Sequence, residues 1–119
     1  MVPPLKAQVP DDLLNRMLQH LGFRNLEDPS EIRYRHFEKK GLTEILTELG
    51  GYYVNFAAKK YLTEDMEFTR YLTICRHVLR QRGRDILSRE TSERGRKIRC
   101  YRLKPTHDPP AASFEVDFA

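Results

Sequence analysis

Residues 94–103 read Arg94-Gly95-Arg96-Lys97-Ile98-Arg99-Cys100-Tyr101-Arg102-Leu103, and the architecture of the chain turns on whether this run is a strand. Its β-branched and aromatic residues and the proline that follows at Pro105 favour one. A second short run, Asp85 to Arg89, lies just upstream, and Glu90-Thr91-Ser92-Glu93-Arg94-Gly95 between the two supplies a polar, glycine-ended connection. The pair predicts a β-hairpin. The phase of the second run is awkward, because Ile98 and Cys100 fall on one side and Tyr101 and Leu103 on the other. That requires either a bulge or a strand covered on both faces.

Upstream of the hairpin, residues 63 to about 82 predict one long amphipathic helix. Phe68, Tyr71, Leu72, Cys75, Val78 and Leu79 share an apolar face, whereas Arg70, Thr73, His77, Arg80 and Gln81 fall on the opposite side. Further back, Leu42, Ile45, Leu46 and Leu49 predict a two-turn helix from Thr43 to Gly50-Gly51. Between these helices, Tyr52-Tyr53-Val54-Asn55-Phe56 favours strand and Ala57-Ala58-Lys59-Lys60 favours helix, so a bend or short helix leading to Leu62 is expected. Near the start, Leu13, Leu14, Met17, Leu18 and Leu21 predict a helix over 11–21, capped by Asp11 and stopped by Gly22. Asp28-Pro29-Ser30-Glu31 has the form of a capped helix start. The following Ile32-Arg33-Tyr34-Arg35-His36-Phe37 either continues as a short helix to Gly41 or alternates as a strand, and the start signal favours helix. The expected class is thus mainly α with a C-terminal β-hairpin (α+β) in one domain.

The whole chain has 119 residues, 39% of them hydrophobic and 32% charged, with a mean hydropathy of −0.66. One modest core is expected, and no apolar run approaches the roughly 18–20 residues of a membrane span. Met1 to Lys6 lacks the apolar stretch of a signal peptide, and two cysteines make no disulfide framework, so an intracellular (cytoplasmic or nuclear) setting is expected. The net charge of +4 is unevenly spread. Residues 1–65 carry nine basic and ten acidic side chains, residues 66–104 carry twelve and four, and residues 105–119 carry none and three. Ten of the twelve cations in the middle block are arginine, whose forked guanidinium suits phosphate or carboxylate. An anionic partner is the leading expectation. The plainer reading is a solvated arginine surface balanced by the chain's own carboxylates.

Helices followed by a long amphipathic helix and a basic hairpin resemble the winged helix-turn-helix family. The glycine-arginine tip, the basic residues after it and Tyr101-x-Leu103 look like that family's wing. The motif covers about ten residues, and the architectural likeness extends over 42–104. The resemblance implies a winged-helix-like domain over residues 10–104, with an extended N-terminal arm over 1–9. It places Arg70, Thr73, His77 and Arg80 on a recognition helix and Arg94, Arg96, Lys97 and Arg99 on a wing; Arg84, between the two, completes the candidate nucleic-acid-binding set. Duplex DNA is the favoured partner, with Thr73 and His77 as base-edge candidates and the arginines on phosphates. The chain departs from the family at Glu64, Asp65 and Glu67, which would repel phosphates at the start of the helix and shift contact to its middle and C-terminal half. The same fold used for protein assembly with an acidic partner is the alternative.

Other chemistry finds less support. Cys75, His77, Cys100 and His107 are the metal-ligand types nearest one another, but Cys75 and His77 diverge by roughly 160° on a helix and neither usual close-pair spacing occurs. Cys75 is expected in the core, and His20 and His36 on helix surfaces or partly buried. No phosphate loop, nucleotide fingerprint or nucleophile elbow is present, so neither a cofactor nor an enzymatic activity is expected. Tyr52, Tyr53, Phe56 and Tyr61 are candidates for stacking on unpaired bases, or else core aromatics. Residues 105–119 form a proline-rich linker and a tail in which Phe114, Val116 and Phe118 alternate with acidic residues. The tail, over 113–118, is expected to be a docking strand for a protein partner or for self-association.

Overall fold

The first helix, α1 (Asp11–Leu21), forms where the leucine periodicity places it, and Leu13, Leu14, Met17, Leu18 and Leu21 are all buried. In this computed structural model, which describes residues 7–52 and 66–105, Pro10 occupies the N-cap position. Asp11 and Asp12 lie in the first turn, where their charge suits the helix dipole. The helix ends in a Schellman arrangement: the Phe23 N–H donates to the Leu18 carbonyl (3.1 Å), the Gly22 N–H to that of Gln19 (3.1 Å), and Leu18 and Phe23 are both buried.

The capped helix start expected at Asp28 is not one. Asp28 is buried within a loop, accepting hydrogen bonds from the backbone N–H groups of Arg24 (2.7 Å) and Ser30 (2.9 Å). Its short carboxylate thus satisfies the turn itself, an alternative that Asp offers as readily as a helix cap. The expected helix from Ile32 to Gly41 is likewise absent. Ile32–Arg33 is a two-residue strand (β1), followed by a 3-10 turn over Tyr34–His36. Tertiary pairing overrides the local start signal here, since Ile32 and Arg33 lie opposite Tyr101 and Cys100 of the last strand.

Burial alone would raise the Asp28 carboxyl, but the hydrogen bonds from Arg24 and Ser30 outweigh it and hold it at about 2. A carboxyl lowered in the folded state stabilises fully above its ordinary value of 3.8, and that contribution disappears as pH falls through about 2. Thermal melts followed by circular dichroism between pH 6 and 2 should therefore lose stability below about pH 4. Asp28→Asn should start about 1–3 kcal/mol less stable and fall less steeply in that window. Parallel pH profiles would remove Asp28 from the account.

Helix α2 (Leu42–Gly50) buries Leu42, Ile45, Leu46 and Leu49, in agreement with the expected two-turn helix. Residues 53–65 lie outside the described part, and with them most of the ambiguous aromatic stretch. Helix α3 (Phe68–Arg80) starts later than expected, because Glu67 is extended and Met66 is already buried before the first turn. It ends two residues earlier, at a turn leading to Gly83. Its apolar face includes Ile74 besides the expected residues, and the Tyr71 hydroxyl donates to the Met17 carbonyl (2.6 Å), joining α3 to α1 inside the core.

Strands β2 (Ile86–Glu93) and β3 (Arg96–Leu103) form an antiparallel hairpin with a two-residue turn, so the expected connection over 90–95 is mostly strand. With β1 on the free side of β3, the sheet order is β1-β3-β2. The register runs unbroken from Ile86 opposite Leu103 to Glu93 opposite Arg96, so there is no bulge. The awkward phase is met by the other solution. Ile86, Ser88, Tyr101 and Leu103 face the helices, while Cys100 on the other face lies directly between Arg33 and Arg89. Those arginines pair with Glu93 (2.7 Å) and Glu31 (2.6 Å), and Cys100 is buried between their aliphatic stems. The result is an α+β domain with three helices and a three-stranded sheet among the described residues, and none of these helices is long and apolar enough to cross a membrane.

Candidate nucleic-acid interface

Beyond Glu90 the hairpin leaves the core, and its side chains there are mostly polar or charged and exposed. Glu90 lies opposite Arg99 and Glu93 opposite Arg96, with Lys97 reaching diagonally to Glu90 (3.9 Å). Cross-strand pairs of this kind stabilise by roughly 0.2–1 kcal/mol each. The turn is closed by Arg94 (φ 53°) and Gly95 (φ 77°), the two positive dihedrals of a type I′ hairpin. Glycine takes that conformation freely, whereas a side chain such as arginine in it costs about 1 kcal/mol. The side chains of Arg94 and Arg96 are exposed and make no hydrogen bond or salt bridge with another described residue. An exposed arginine held at positive φ on a projecting tip is placed where an external anion could reach it.

The tip borders a groove of about 630 Å³ lined by Arg94, Arg96, Lys97, Ile98, Arg99 and Glu93 from the hairpin, by Tyr101, and by Arg33, Tyr34 and Arg35 from the turn after β1. Among the described residues, six cations and one carboxylate thus line the groove. Hydrogen bonding from Arg33 holds Glu93 below the usual carboxylate range, with the nearby charge of Arg35 adding to the effect. Lys97 remains 82% exposed despite its reach to Glu90, and Arg99 donates to the Ser88 hydroxyl (3.2 Å).

No family model, curated protein or solved structure matches the chain.

The four helix candidates are arranged differently, and none of Arg70, Thr73, His77 or Arg80 lines this groove. Arg70 is half-buried on α3. Thr73 is exposed, but its hydroxyl donates back to the Thr69 carbonyl one turn earlier (2.9 Å). His77 is half-buried, with its Nε2 enclosed and without a hydrogen-bond partner among the described residues. Burial first, and then the charge of Arg80, lower its pKa and so favour the neutral ring. Arg80 is 58% exposed and donates to Asp85 (3.0 Å), whose other oxygen accepts from Arg76 (3.0 Å). Burial would raise the Asp85 carboxyl, but Arg76, the Ile86 N–H and Arg80 together lower it. This carboxylate pins the end of α3 to the start of β2.

Arg84 serves the fold. Its side chain is 14% exposed and donates to the Lys104 and Leu26 carbonyls (3.2 and 2.8 Å) while pairing with Glu27. It ties the loop after α1 to the base of the hairpin. Arg82 does the same for the chain start, bonding to the Val9 carbonyl and pairing with Asp11. Cys75 is fully buried, and burial pushes its thiol up to about 12.

Arg33, Tyr34 and Arg35 are the additions that sequence reading missed. The only local signal is an aromatic between two arginines, in a segment read there as helix. What brings it to the hairpin is the pairing of β1 with β3, a contact between residues nearly 70 positions apart in sequence.

Proposed function

We propose that this protein binds nucleic acid, with duplex DNA favoured, as a winged-helix-like module whose hairpin and β1 turn grip phosphates without catalysing a reaction. The observation that carries this reading is the cationic groove beside an exposed arginine tip. The order of helices, amphipathic helix and basic hairpin supports it as well. In this reading Arg94, Arg96, Lys97 and Arg35 neutralise phosphates, and Arg80 and Thr73 on α3 are a second, weaker contact. Binding of this kind is steeply salt-dependent, with log K falling by about 0.9 per log unit of salt for each neutralised phosphate.

A second reading has an observation of its own. Arg33, Arg76, Arg80 and Arg89 all sit on carboxylates of this chain, geometry that a partner protein's Asp and Glu side chains would reproduce. Fluorescence anisotropy with labelled random duplex DNA and an RNA hairpin, at 50 and 200 mM salt, separates the two. Binding that weakens sharply with salt and is strongest for duplex DNA supports the first. Absence of binding at 50 mM salt overturns it and moves the cationic groove to an acidic protein partner.

A further inference from the structure

Phosphate binding does not explain the most exposed apolar side chain of the groove, Tyr34. Tyr34 is 68% exposed, although it is a large aromatic on a mostly charged surface. Its backbone is fixed: its carbonyl accepts from the Phe37 N–H (3.0 Å), and the Arg33 N–H donates to His36 Nδ1 (2.9 Å). Its ring is anchored at one contact. It meets Phe68 edge-to-face at 5.2 Å, and Phe68 is itself held by Phe37 (5.6 Å) and Tyr101 (5.3 Å). A T-shaped contact occupies at most one face of the Tyr34 ring, and its exposure leaves ring surface open in a groove that Arg33 and Arg35 also line.

An exposed aromatic anchored within a cationic groove is the arrangement on which an unpaired base stacks while its neighbouring phosphates are neutralised. The groove volume of about 630 Å³ falls within the roughly 300–1,000 Å³ of clefts that enclose small ligands. Base pairs within an intact duplex keep their faces stacked on one another and cannot offer one to Tyr34. We propose that Tyr34 is a stacking platform for an unpaired base, and that the protein prefers nucleic acid with a single-stranded segment beside a duplex over blunt duplex. This rests on the proposed function, since the duplex part is held by the same cationic hairpin.

The test uses the full chain and three probes: a blunt duplex, the same duplex with a single-stranded overhang carrying 2-aminopurine, and the overhang strand alone. Wild type should bind the overhang probe more tightly than the blunt one and quench the 2-aminopurine. Tyr34→Ala should weaken overhang binding roughly 5- to 100-fold and abolish quenching while changing blunt-duplex affinity much less, and Tyr34→Phe should retain overhang binding and quenching. Melting curves unchanged by Tyr34→Ala would confirm that the fold is intact. Equal affinity of wild type for blunt and overhang probes, or quenching that survives Tyr34→Ala, overturns the platform and leaves the proposed function standing. Failure of all three probes to bind overturns both.

Discussion

Replacing Gly22 by alanine should destabilise the domain by about 2–4 kcal/mol, although the residue is exposed. Gly22 has φ 116°, which lies beyond the left-handed helical well and which side chains rarely adopt. A Cβ there would also sit 2.8 Å from His36 Cβ and 3.1 Å from Ile32 Cγ2. Neither atom is the free end of a flexible side chain, so β1 and the turn after it would have to move. At roughly 4–8 °C per kcal/mol for a domain this small, the melting temperature should drop by about 10–25 °C. Gly95→Ala is the matched comparison, with φ 77° but nothing within 4 Å of the added Cβ. It should lose only about 1 kcal/mol. Equal losses in thermal melts would show that backbone conformation alone matters at Gly22 and that the close approach of β1 costs nothing.

The same close approach explains which parts of the structure the sequence made legible. Helices α1, α2 and α3 can be read from the spacing of Leu13 to Leu21, Leu42 to Leu49 and Phe68 to Leu79, because each buries one stripe and periodicity reports a stripe directly. The hairpin was legible as a pair of strands, but its turn was not. Glu90 to Glu93 are polar because the hairpin projects past the core, and projecting strand has the composition of loop. Asp28 carried a real capping signal that the fold spends on a loop. Ile32-Arg33 is two residues of strand, too short for any period, and only its distant partners on β3 define it.

Candidate site residues divide along the same line. Exposure of Arg94, Arg96 and Lys97 follows from their place at a turn. The roles of Arg84 and His77 depend on what packs against them: a clamp across the loop after α1 for one, an enclosed Nε2 for the other. Such neighbours come from distant segments, which neither charge counts nor helical phase reveal.

Substituting both Arg94 and Arg96 by alanine should weaken duplex binding roughly 50-fold at 0.1 M salt and reduce the salt slope by about 2, on the figure of about 0.9 per phosphate contact. The loss should be uniform across sequences, since contacts to phosphate carry no base information. Removing Arg94 also relieves its positive φ only if the replacement tolerates that conformation, so charge and strain need separating. Arg94→Asn does this, because asparagine accepts the left-handed region and Asn-Gly is a favoured type I′ pair. That variant should melt at or above wild type while still losing about one unit of salt slope and roughly 8-fold in affinity. Arg80→Ala provides the opposite control on α3, where Asp85 keeps its bond from Arg76. If the hairpin is the main grip, Arg80→Ala should change affinity by less than either tip variant. A larger effect from Arg80 would transfer the principal contact to the helix, and unchanged binding by the double variant would remove the hairpin from the interface.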